Sequence, residues 1–561
     1  MACPESRLKC FLHYGCEERI YVPNRNIKYL FNPNNVKSVL ELLASTETDK
    51  NVVSTIMKVF QNGYIIEPCA SMFALAMVVR KTDHKTKSKT ICEAYRAARK
   101  LSEDSAECFL MFTHYLREIA KLDNKKGFGK GWRVTVQKWY CKKDALPLAE
   151  TVSRVSSVNS WSHKDVLKLS RLKAPEEVAK AAVLTFVQKG FKSAFDKYSN
   201  EAEAKDVLDY LKLVDQIRKA ESDAALINLI TVNGFTIDYC PLNYLTNHEV
   251  WLALIPRMSI ECLLSNLNRM SKLKLFRQRP IIQEIVKRFS HQDEELTNIH
   301  PIFIYVVRKQ YEEGPNLAIE FQYLQRQRLQ EAVPEAVGDD NSVAAPNEGQ
   351  QNLQRQPPPR RSADLIDALT SLFNKSVSCL PPSGLRYLIA LDMTATLPSR
   401  RCFFERFVSV EEAALLVTLC VVKAELESNV KVVSFMKDEN KADNKVAVKE
   451  VPINKAEETL DSLKGKLSTI DAINAHVQYL FEWATIKNEA YDVVIVLSDN
   501  HLLPQDAQGA LKVYQEKVSA KTNFTGPHRR GKELTKEDMF LICGFDKNVG
   551  RLIEACSRGS F

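Results

Sequence analysis

Residues 161–173 combine residue types that bind a polyanion with the spacing of a helix. Ser162 and Asp165, three positions apart, form the pattern of a capping box, which predicts that a helix begins after Ser162. His163 and Lys164 would then lie in the first helical turn, where free backbone N–H groups and the helix dipole attract anions. The predicted chemistry is phosphate binding, and the alternative is a solvated basic surface with an incidental histidine.

Two predicted helices divide their residues into a cationic side and an apolar side. In the first, the basic residues fall on one stripe: Lys164, Lys168 and Arg171. Its apolar residues turn toward a core: Val166, Leu169 and Leu172. In the second, the polar stripe consists of Lys130, Arg133, Gln137 and Lys138, with Trp132, Val136 and Trp139 behind it. Trp139 and Trp161 could stack on bases, but tryptophans on apolar helix faces favour the core, and we interpret both as core residues.

The positive charge of the chain is concentrated around these helices. Thirteen lysines and arginines lie between residues 121 and 175: 121, 125, 126, 130, 133, 138, 142, 143, 154, 164, 168, 171 and 173. Four acids oppose them, at 123, 144, 150 and 165, so this block alone carries +9, as does the whole 561-residue chain. Such a block in a folded region indicates a polyanionic partner. Lys125, Lys126, Lys142 and Lys143 are either further phosphate contacts or plain solvated lysines.

The cysteines and the apolar segments indicate the cellular compartment. The fourteen cysteines form no C-x-x-C pair and no metal-ligand spacing, which favours free thiols in a reducing compartment. No signal-peptide core opens the sequence, and no apolar run is long enough to span a membrane. We therefore expect a cytosolic protein, with the nucleus as a further location, and no membrane partner.

Residues from about 36 to 325 show the periodicity of successive amphipathic helices. The clearest predicted helices are 36–43, 70–80, 89–100, 106–121, 176–190, 210–219, 248–256, 260–270 and 282–289. This pattern predicts a stacked-helix solenoid with HEAT-like repeats. A Gln- and Pro-rich stretch, 325–361, is predicted to be a flexible insertion, and another helix is predicted at 363–377.

After residue 385 the pattern changes from helical to α/β. Four short, β-rich apolar runs occur at 387–391, 430–435, 492–497 and 539–543, separated by helical stretches, notably 410–427 and 470–484. Buried strands that alternate with helices predict a doubly wound parallel sheet. We place the boundary at Pro381–Gly384, which gives a helical domain over 1–380 and an α/β domain over 384–561.

Two of these predicted strands run into an aspartate. The first is followed by Asp392, Thr394 and Thr396, and a later one by Asp499. These hard oxygen donors suit one Mg²⁺-type cation. The arrangement resembles the metal-ion-dependent adhesion site of von Willebrand factor A domains, although threonines replace both serines of that motif. Thr469 is the nearest match to the family's further threonine. The alternative is that the aspartates only cap the strand-end loops.

The helical half and the sheet half together resemble the Ro ribonucleoprotein family, whose helical module is called TROVE. The matching segments are 72–76, 128–130 with Arg133 and Trp139-Tyr140, 161–173, 249–251, 263–270, 299–301, 387–396 and 494–500. The insertion and the altered metal motif make the chain a divergent member. The resemblance implies a ring of helical repeats closed by the A domain, with a positively charged central hole. It also implies that single-stranded 3′ ends of misfolded noncoding RNAs, such as 5S rRNA precursors, enter the hole, and that Y RNA binds outside.

The residues carried over by these motifs are candidate RNA contacts: Lys130, Arg133, His163, Lys164 and Lys168, with Arg171 added from the helical stripe. The leading hypothesis is a monomeric RNA-binding protein within a ribonucleoprotein, without catalytic chemistry. The alternative is a protein–protein adaptor whose basic block meets an acidic partner. The sequence contains no P-loop, G-x-S-x-G, H-E-x-x-H or glycine-rich dinucleotide turn, so we expect no enzyme.

Overall fold

The computed structural model describes most of the chain. The described residues are 3–23, 25, 31–44, 49–83, 87–173, 175–290, 294–314, 362–392, 399–437, 446–468, 470, 477–498, 504–518, 523–527 and 539–561. The predicted insertion at 325–361 and the residues Thr394, Thr396, Thr469 and Asp499 lie outside them. Within the described residues, no helix combines the length and the apolar composition needed to cross a membrane.

The first two thirds of the chain form an array of helices. Its helices are α1 (Pro4–Tyr14), α2 (Lys37–Ala44), α3 (Asp49–Gln61), α4 (Pro68–Lys81), α5 (Ser88–Leu101), α6 (Ala106–Leu122), α7 (Gly129–Lys142), α8 (Ala145–Arg154), α9 (His163–Ser170), α10 (Val178–Lys189), α11 (Phe191–Tyr198), α12 (Lys205–Arg218), α13 (Asp223–Asn233), α14 (His248–Leu254), α15 (Ile260–Lys272), α16 (Arg279–Ser290), α17 (301–314) and α18 (Ala363–Ser378). Helices near in sequence pack together, as α4 does with α5 and α6, and α10 with α11. This is the pattern of a helical solenoid, as predicted.

The rest of the chain forms an α/β domain, here called the sheet domain. Its strands are β4 (Tyr387–Leu391), β5 (Val430–Lys437), β6 (Val446–Val451), β7 (Val493–Leu497), β8 (Asn523–Pro527) and β9 (Met539–Ile542). Its helices are α19 (Val410–Ala424), α20 (Leu460–Ser468), α21 (Val477–Lys487), α22 (Pro504–Lys517) and α23 (Val549–Ser557). The strand order is β9-β8-β7-β4-β5-β6, parallel throughout except for the antiparallel edge strand β6. The predicted doubly wound sheet is therefore confirmed.

The N-terminal end of the helical array joins this sheet. Strand β1 (Ile20–Tyr21) pairs in parallel with β9 and extends the sheet by one edge strand. Arg19 donates a 2.8 Å hydrogen bond to the carbonyl of Phe561, and Tyr64 donates one of 2.9 Å to Glu554. Residues near the N-terminus of the chain are thus part of the sheet domain, which is formed by the C-terminal third of the chain.

The C-terminal end of the array contacts the same domain from another side. On α17, the Tyr305 hydroxyl and the Lys309 ammonium both reach Glu412 of α19, and Gln310 donates to the buried Glu405. One apolar core runs from α1 through the array to α19, α23 and Phe561, and a second lies under α21 and α22. Since both ends of the array are fixed to one domain, the chain closes into a ring.

The array also contains a short hairpin that its sequence pattern does not predict. Strands β2 (Ser157–Val158) and β3 (Trp161–Ser162) pair in an antiparallel manner and turn through Asn159 and Ser160, which both have positive φ. The hairpin leads directly into α9, so it sets the position at which that helix begins.

Candidate nucleic-acid interface

The two helices predicted to be cationic, α7 and α9, are in contact. Their junction is made of aromatic rings: His163 lies nearly parallel to Trp139, with ring centroids 6.0 Å apart, and Trp139 stacks at 4.4 Å on Phe109 of α6. The indole nitrogen of Trp139 donates a 2.9 Å hydrogen bond to the Ser102 carbonyl. Trp139 is therefore a core residue, as predicted, and its packing fixes α9 against α7.

Trp161 also contacts this aromatic core, through Phe128. It is partly buried and meets Phe128 edge-on, with centroids 5.5 Å apart, while Phe128 stacks on Trp132 at 4.1 Å. These rings connect the hairpin before α9 to the first turn of α7. Trp161 is therefore only partly a core residue, in contrast to Trp139, which is 2% exposed.

His163 lies inside this junction, whereas it was predicted as a direct RNA contact. It is 2% exposed, and its Nδ1 lies 2.6 Å from the hydroxyl of Tyr140. Burial lowers the pKa of His163 to about 4, because an imidazolium here would lose its hydration, so the ring is neutral at pH 7. The histidine can act on a ligand only by positioning α9. Sequence reasoning missed Tyr140 as its partner, since their separation of 23 positions leaves no local signal.

The start of α9 confirms the predicted capping box but not an open anion site. Ser162 accepts from the backbone N–H of Asp165, and the Asp165 carboxylate accepts from the backbone N–H of Ser162. The N–H of His163 donates to the carbonyl of Ser156. The Asp165 carboxylate therefore already places a negative charge at this helix end, which weakens the attraction of the helix terminus for a phosphate.

The apolar side of α9 differs in part from the prediction. Val166 is buried as expected, but Leu167 is buried instead of Leu169, which is 46% exposed. The helix ends at Ser170, and Arg171 adopts the left-handed conformation of a C-cap with φ of 52°. Arg171 therefore follows the helix and is not part of its stripe, although its side chain is exposed.

The cations of α7 and α9 face solvent. We call the following exposed residues the α7–α9 cationic surface: Lys130, Arg133, Lys138, Lys164, Lys168, Arg171 and Lys173. In the part of the chain that the structure describes, none of them forms an ion pair. Because they lack carboxylate partners there, their charge is available to a polyanion.

Other lysines of the basic block are already paired. Lys142 lies 2.6 Å from Glu103, where it holds the pKa of that carboxyl below its usual range, and Lys143 donates to the Glu103 carbonyl. Lys121 pairs with Glu118 at 2.6 Å, and Lys125 approaches Asp123 at 3.8 Å. A count of charged residues in the sequence cannot show which lysines are paired with a carboxylate and which are available to a ligand.

Of the predicted metal ligands the structure describes Asp392, whose neighbour across the sheet edge is Ser498, a residue that was not among the predicted ligands. Asp392 is fully buried at the end of β4, and the hydroxyl of Ser498 at the end of β7 donates a 2.6 Å hydrogen bond to its Oδ2. The backbone N–H of Asp392 donates to the carbonyl of Leu497, which joins the two strand ends. Asp392 and Ser498 therefore lie together at the carboxyl edge of the sheet, where ligands of such folds bind.

Comparison with known proteins gives matches for both parts of the chain. The family models that match are the TROVE domain over residues 26–234, which includes α7 and α9, and the Ro60 vWA domain over residues 386–556. The chain is 23% identical over 507 residues to the RNA-binding protein RO60 of Caenorhabditis elegans, which covers 80% of this chain and 71% of that protein. The crystal structure of the Deinococcus radiodurans RO (RSR) protein matches with a TM-score of 0.73 and 17% identity over the full length of both chains.

Proposed function

We propose that this chain, which belongs to the Ro ribonucleoprotein family, binds RNA through the α7–α9 cationic surface. The observation that carries the proposal is the set of seven exposed cations, unpaired within the described residues, on and just after two helices that an aromatic junction holds together. That surface lies within the matched TROVE domain, and one relative is named an RNA-binding protein. Rigid helices present the charges at fixed spacing, which lowers the entropy lost when phosphates bind.

Binding at this surface depends on charge and shape more than on sequence. Lysines and arginines contact phosphates, release counterions and carry no base information, so affinity falls steeply with salt. Both tryptophans of α7, Trp132 and Trp139, are buried and are not available to stack on bases. We therefore infer a binding function without catalysis, in which the chain holds RNA inside a ribonucleoprotein.

We further propose the RNA classes that the family resemblance suggests. These are Y RNA and structured noncoding RNAs with single-stranded 3′ ends, such as misfolded 5S rRNA precursors. The closed ring supports the second class, since a ring admits a strand end more easily than a duplex. The cysteine spacing, which contains no C-x-x-C pair, supports the cytosol as the compartment, with the nucleus in addition.

A divalent cation at the sheet edge is also part of the proposal. Asp392 and Ser498 bring a carboxylate and a hydroxyl together, and such hard oxygens fit Mg²⁺. Thr394, Thr396, Thr469 and Asp499 would complete the donor set. When bound, the ion would supply a positive charge for an anionic ligand. Mn²⁺ titration followed by electron paramagnetic resonance should show one site that Asp392→Asn removes.

The RNA proposal is tested with one hairpin RNA made with and without a single-stranded 3′ tail. Binding is measured across a salt series for the wild type and for Lys164→Ala/Lys168→Ala/Arg171→Ala. We expect salt-sensitive binding, and a salt slope that drops by about one for each cation that no longer binds a phosphate. The triple variant should bind both RNAs more weakly, because both RNAs present phosphates and these cations bind phosphates in any sequence.

The matched control is Lys121→Ala/Lys142→Ala/Lys219→Ala. It removes the same formal charge from the array, but each of its lysines is paired with a carboxylate, namely Glu118, Glu103 and Asp215. It should retain more of the affinity than the first triple variant. Equal losses in both would refute the assignment of the surface. Binding of neither RNA by the wild type would favour the protein-adaptor hypothesis.

A further inference from the structure

An exposed pair of phenylalanines stands on the sheet domain, far in sequence from the α7–α9 cationic surface. Phe403 is 69% exposed and Phe404 is 37% exposed, and their rings meet edge to face with centroids 4.2 Å apart. Single exposed apolar side chains are common on protein surfaces, whereas two adjoining exposed rings form a contiguous apolar patch, which can mark a binding site. Neither ring takes part in the functions discussed above.

The loop that carries the pair is rigidly closed at its base. The backbone N–H of Cys402 donates to the carbonyl of Val408 at 2.9 Å, and that of Val410 donates to the carbonyl of Arg400 at 2.9 Å. At the tip, Glu405 turns inward and accepts a 2.9 Å hydrogen bond from Gln310 of α17. The two rings are thus held outward by a loop that is anchored where the helical array meets the sheet domain.

The backbone at the tip of the loop is strained. Phe404 has a φ of 77°, a left-handed conformation that is unfavourable for a bulky side chain. Gly544 lies directly behind the loop, and a Cβ there would come 2.7 Å from the carbonyl oxygen of Phe403. The N–H of Phe545 donates to that same oxygen at 3.1 Å. Strain maintained by such specific support is common at ligand-binding positions.

The surroundings of the rings are cationic. Arg400, Arg401 and Arg406 belong to the loop and are exposed, and Lys547 is exposed on the segment that follows Gly544. Glu405 is the acid of the loop, and it is buried. Arg401 pairs at 3.3 Å with Glu313, so it also links the loop to α17. Exposed aromatic rings among arginines are the combination that binds single-stranded nucleic acid.

We propose that Phe403 and Phe404 form a stacking site for unpaired bases of single-stranded RNA on the sheet domain. The proposal rests on the proposed RNA-binding function and adds a second kind of interaction to it. The α7–α9 cationic surface binds phosphates, whereas this pair binds base faces, with the neighbouring arginines near the phosphates of the same strand. Because every base has a π-face, the site tolerates any sequence.

The test uses the hairpin RNA with a 3′ tail that carries 2-aminopurine, whose fluorescence falls when it stacks. For Phe403→Ala and for Phe404→Asn, we expect affinity for the tailed RNA to drop by about fivefold or more, with weaker quenching. Affinity for the tailless hairpin should stay within about twofold. Phe403→Trp, which keeps an aromatic face, should retain tail binding.

The control is Ile486→Ala, which removes an apolar side chain that is 84% exposed on the same domain. It should change neither affinity nor quenching. If both phenylalanine variants bind and quench the tail as the wild type does, the stacking site is refuted while RNA binding stands. If the wild type binds the hairpin but gains nothing from the tail, the same conclusion holds. If it binds neither RNA, the proposed function itself fails, and an apolar protein partner becomes the better explanation of the pair.

Discussion

The hydroxyl of Tyr21 donates a 2.7 Å hydrogen bond to Oδ2 of Asp546, a residue 525 positions further along the chain. Asn548 donates to the same carboxylate oxygen at 3.2 Å. Burial raises the pKa of Asp546, and the bond from Tyr21 opposes that shift by stabilising the charged form. A polar contact between the two ends of the chain thus supports ring closure, beside the pairing of β1 with β9.

Tyr21→Phe tests how much this hydrogen bond contributes. It should lower the unfolding free energy by about 1–2 kcal/mol, because a partly buried carboxylate loses one of its donors. The amides of Leu541 and Cys543, which donate to the carbonyls of Arg19 and Tyr21, report on the closure by hydrogen exchange. They should exchange faster in the variant. Unchanged protection would mean that strand pairing alone holds the two ends together.

A second prediction concerns the contact between the C-terminal end of the helical array and α23 of the sheet domain. Gly550 in α23 faces the imidazole of His300, and a Cβ at this position would overlap that ring. Gly550→Ala should therefore lower the unfolding free energy by about 1–3 kcal/mol, the usual effect of overpacking. The control is Gly465→Ala in α20, where a Cβ meets nothing within 4 Å. It should raise stability by about 0.5–1 kcal/mol, and equal losses at both glycines would contradict the argument.

Three histidines whose pKa is strongly lowered by burial predict how stability depends on pH. Burial lowers the pKa of His13 and of His163 to about 4 each and that of His300 to about 3, against about 6.5 in the unfolded chain. Between these values the unfolded state binds protons that the folded state does not. The unfolding free energy is therefore not reduced by these histidines above pH 6.5, and it falls as the pH decreases toward 4. Each histidine contributes about 1.4 kcal/mol per pH unit within that window.

The measurement is denaturant unfolding at several pH values from 7.5 to 4.5. In His163→Leu the dependence should be shallower, because one of these proton uptakes is removed. Replacing the ring also leaves the hydroxyl of Tyr140 without its partner, so the variant is less stable at pH 7.5. An unchanged slope would show that His163 is protonated in the folded protein.

The sequence pattern predicts the elements that local chemistry determines. The apolar runs of β4, β5, β7 and β9 could be recognised because a strand buried on both faces needs them. Strand β8, Asn523–Pro527, contains Gly and Pro and has no such run. Strand β1 is two residues long, and its pairing with Leu541 depends on chain closure, which no local window contains.

In the candidate site, too, the features set by neighbours in sequence could be predicted and those set by distant residues could not. Capping by Ser162 and the burial of Trp139 depend on neighbours in sequence and were predicted correctly. The rotation of α9 was not, because eight residues define a helical face poorly and Leu167 took the place expected for Leu169. The depth of His163 depends on Tyr140 from another helix, so a sequence motif could identify the residue without showing that it is buried.

The strained tip of the Phe403–Phe404 loop predicts a conflict between stability and function. Asn tolerates the left-handed conformation that Phe404 adopts, so Phe404→Asn should raise the unfolding free energy by about 0.5–1 kcal/mol even though one of the two packed rings is removed. Phe195 of α11 is the control, since it is 46% exposed and helical, and Asn there should only destabilise. Urea unfolding of both variants makes the comparison. A Phe404→Asn protein that is less stable than the wild type would show that the loop stores no strain, whereas a more stable one that binds the RNA tail weakly would show that the strained conformation is retained for binding.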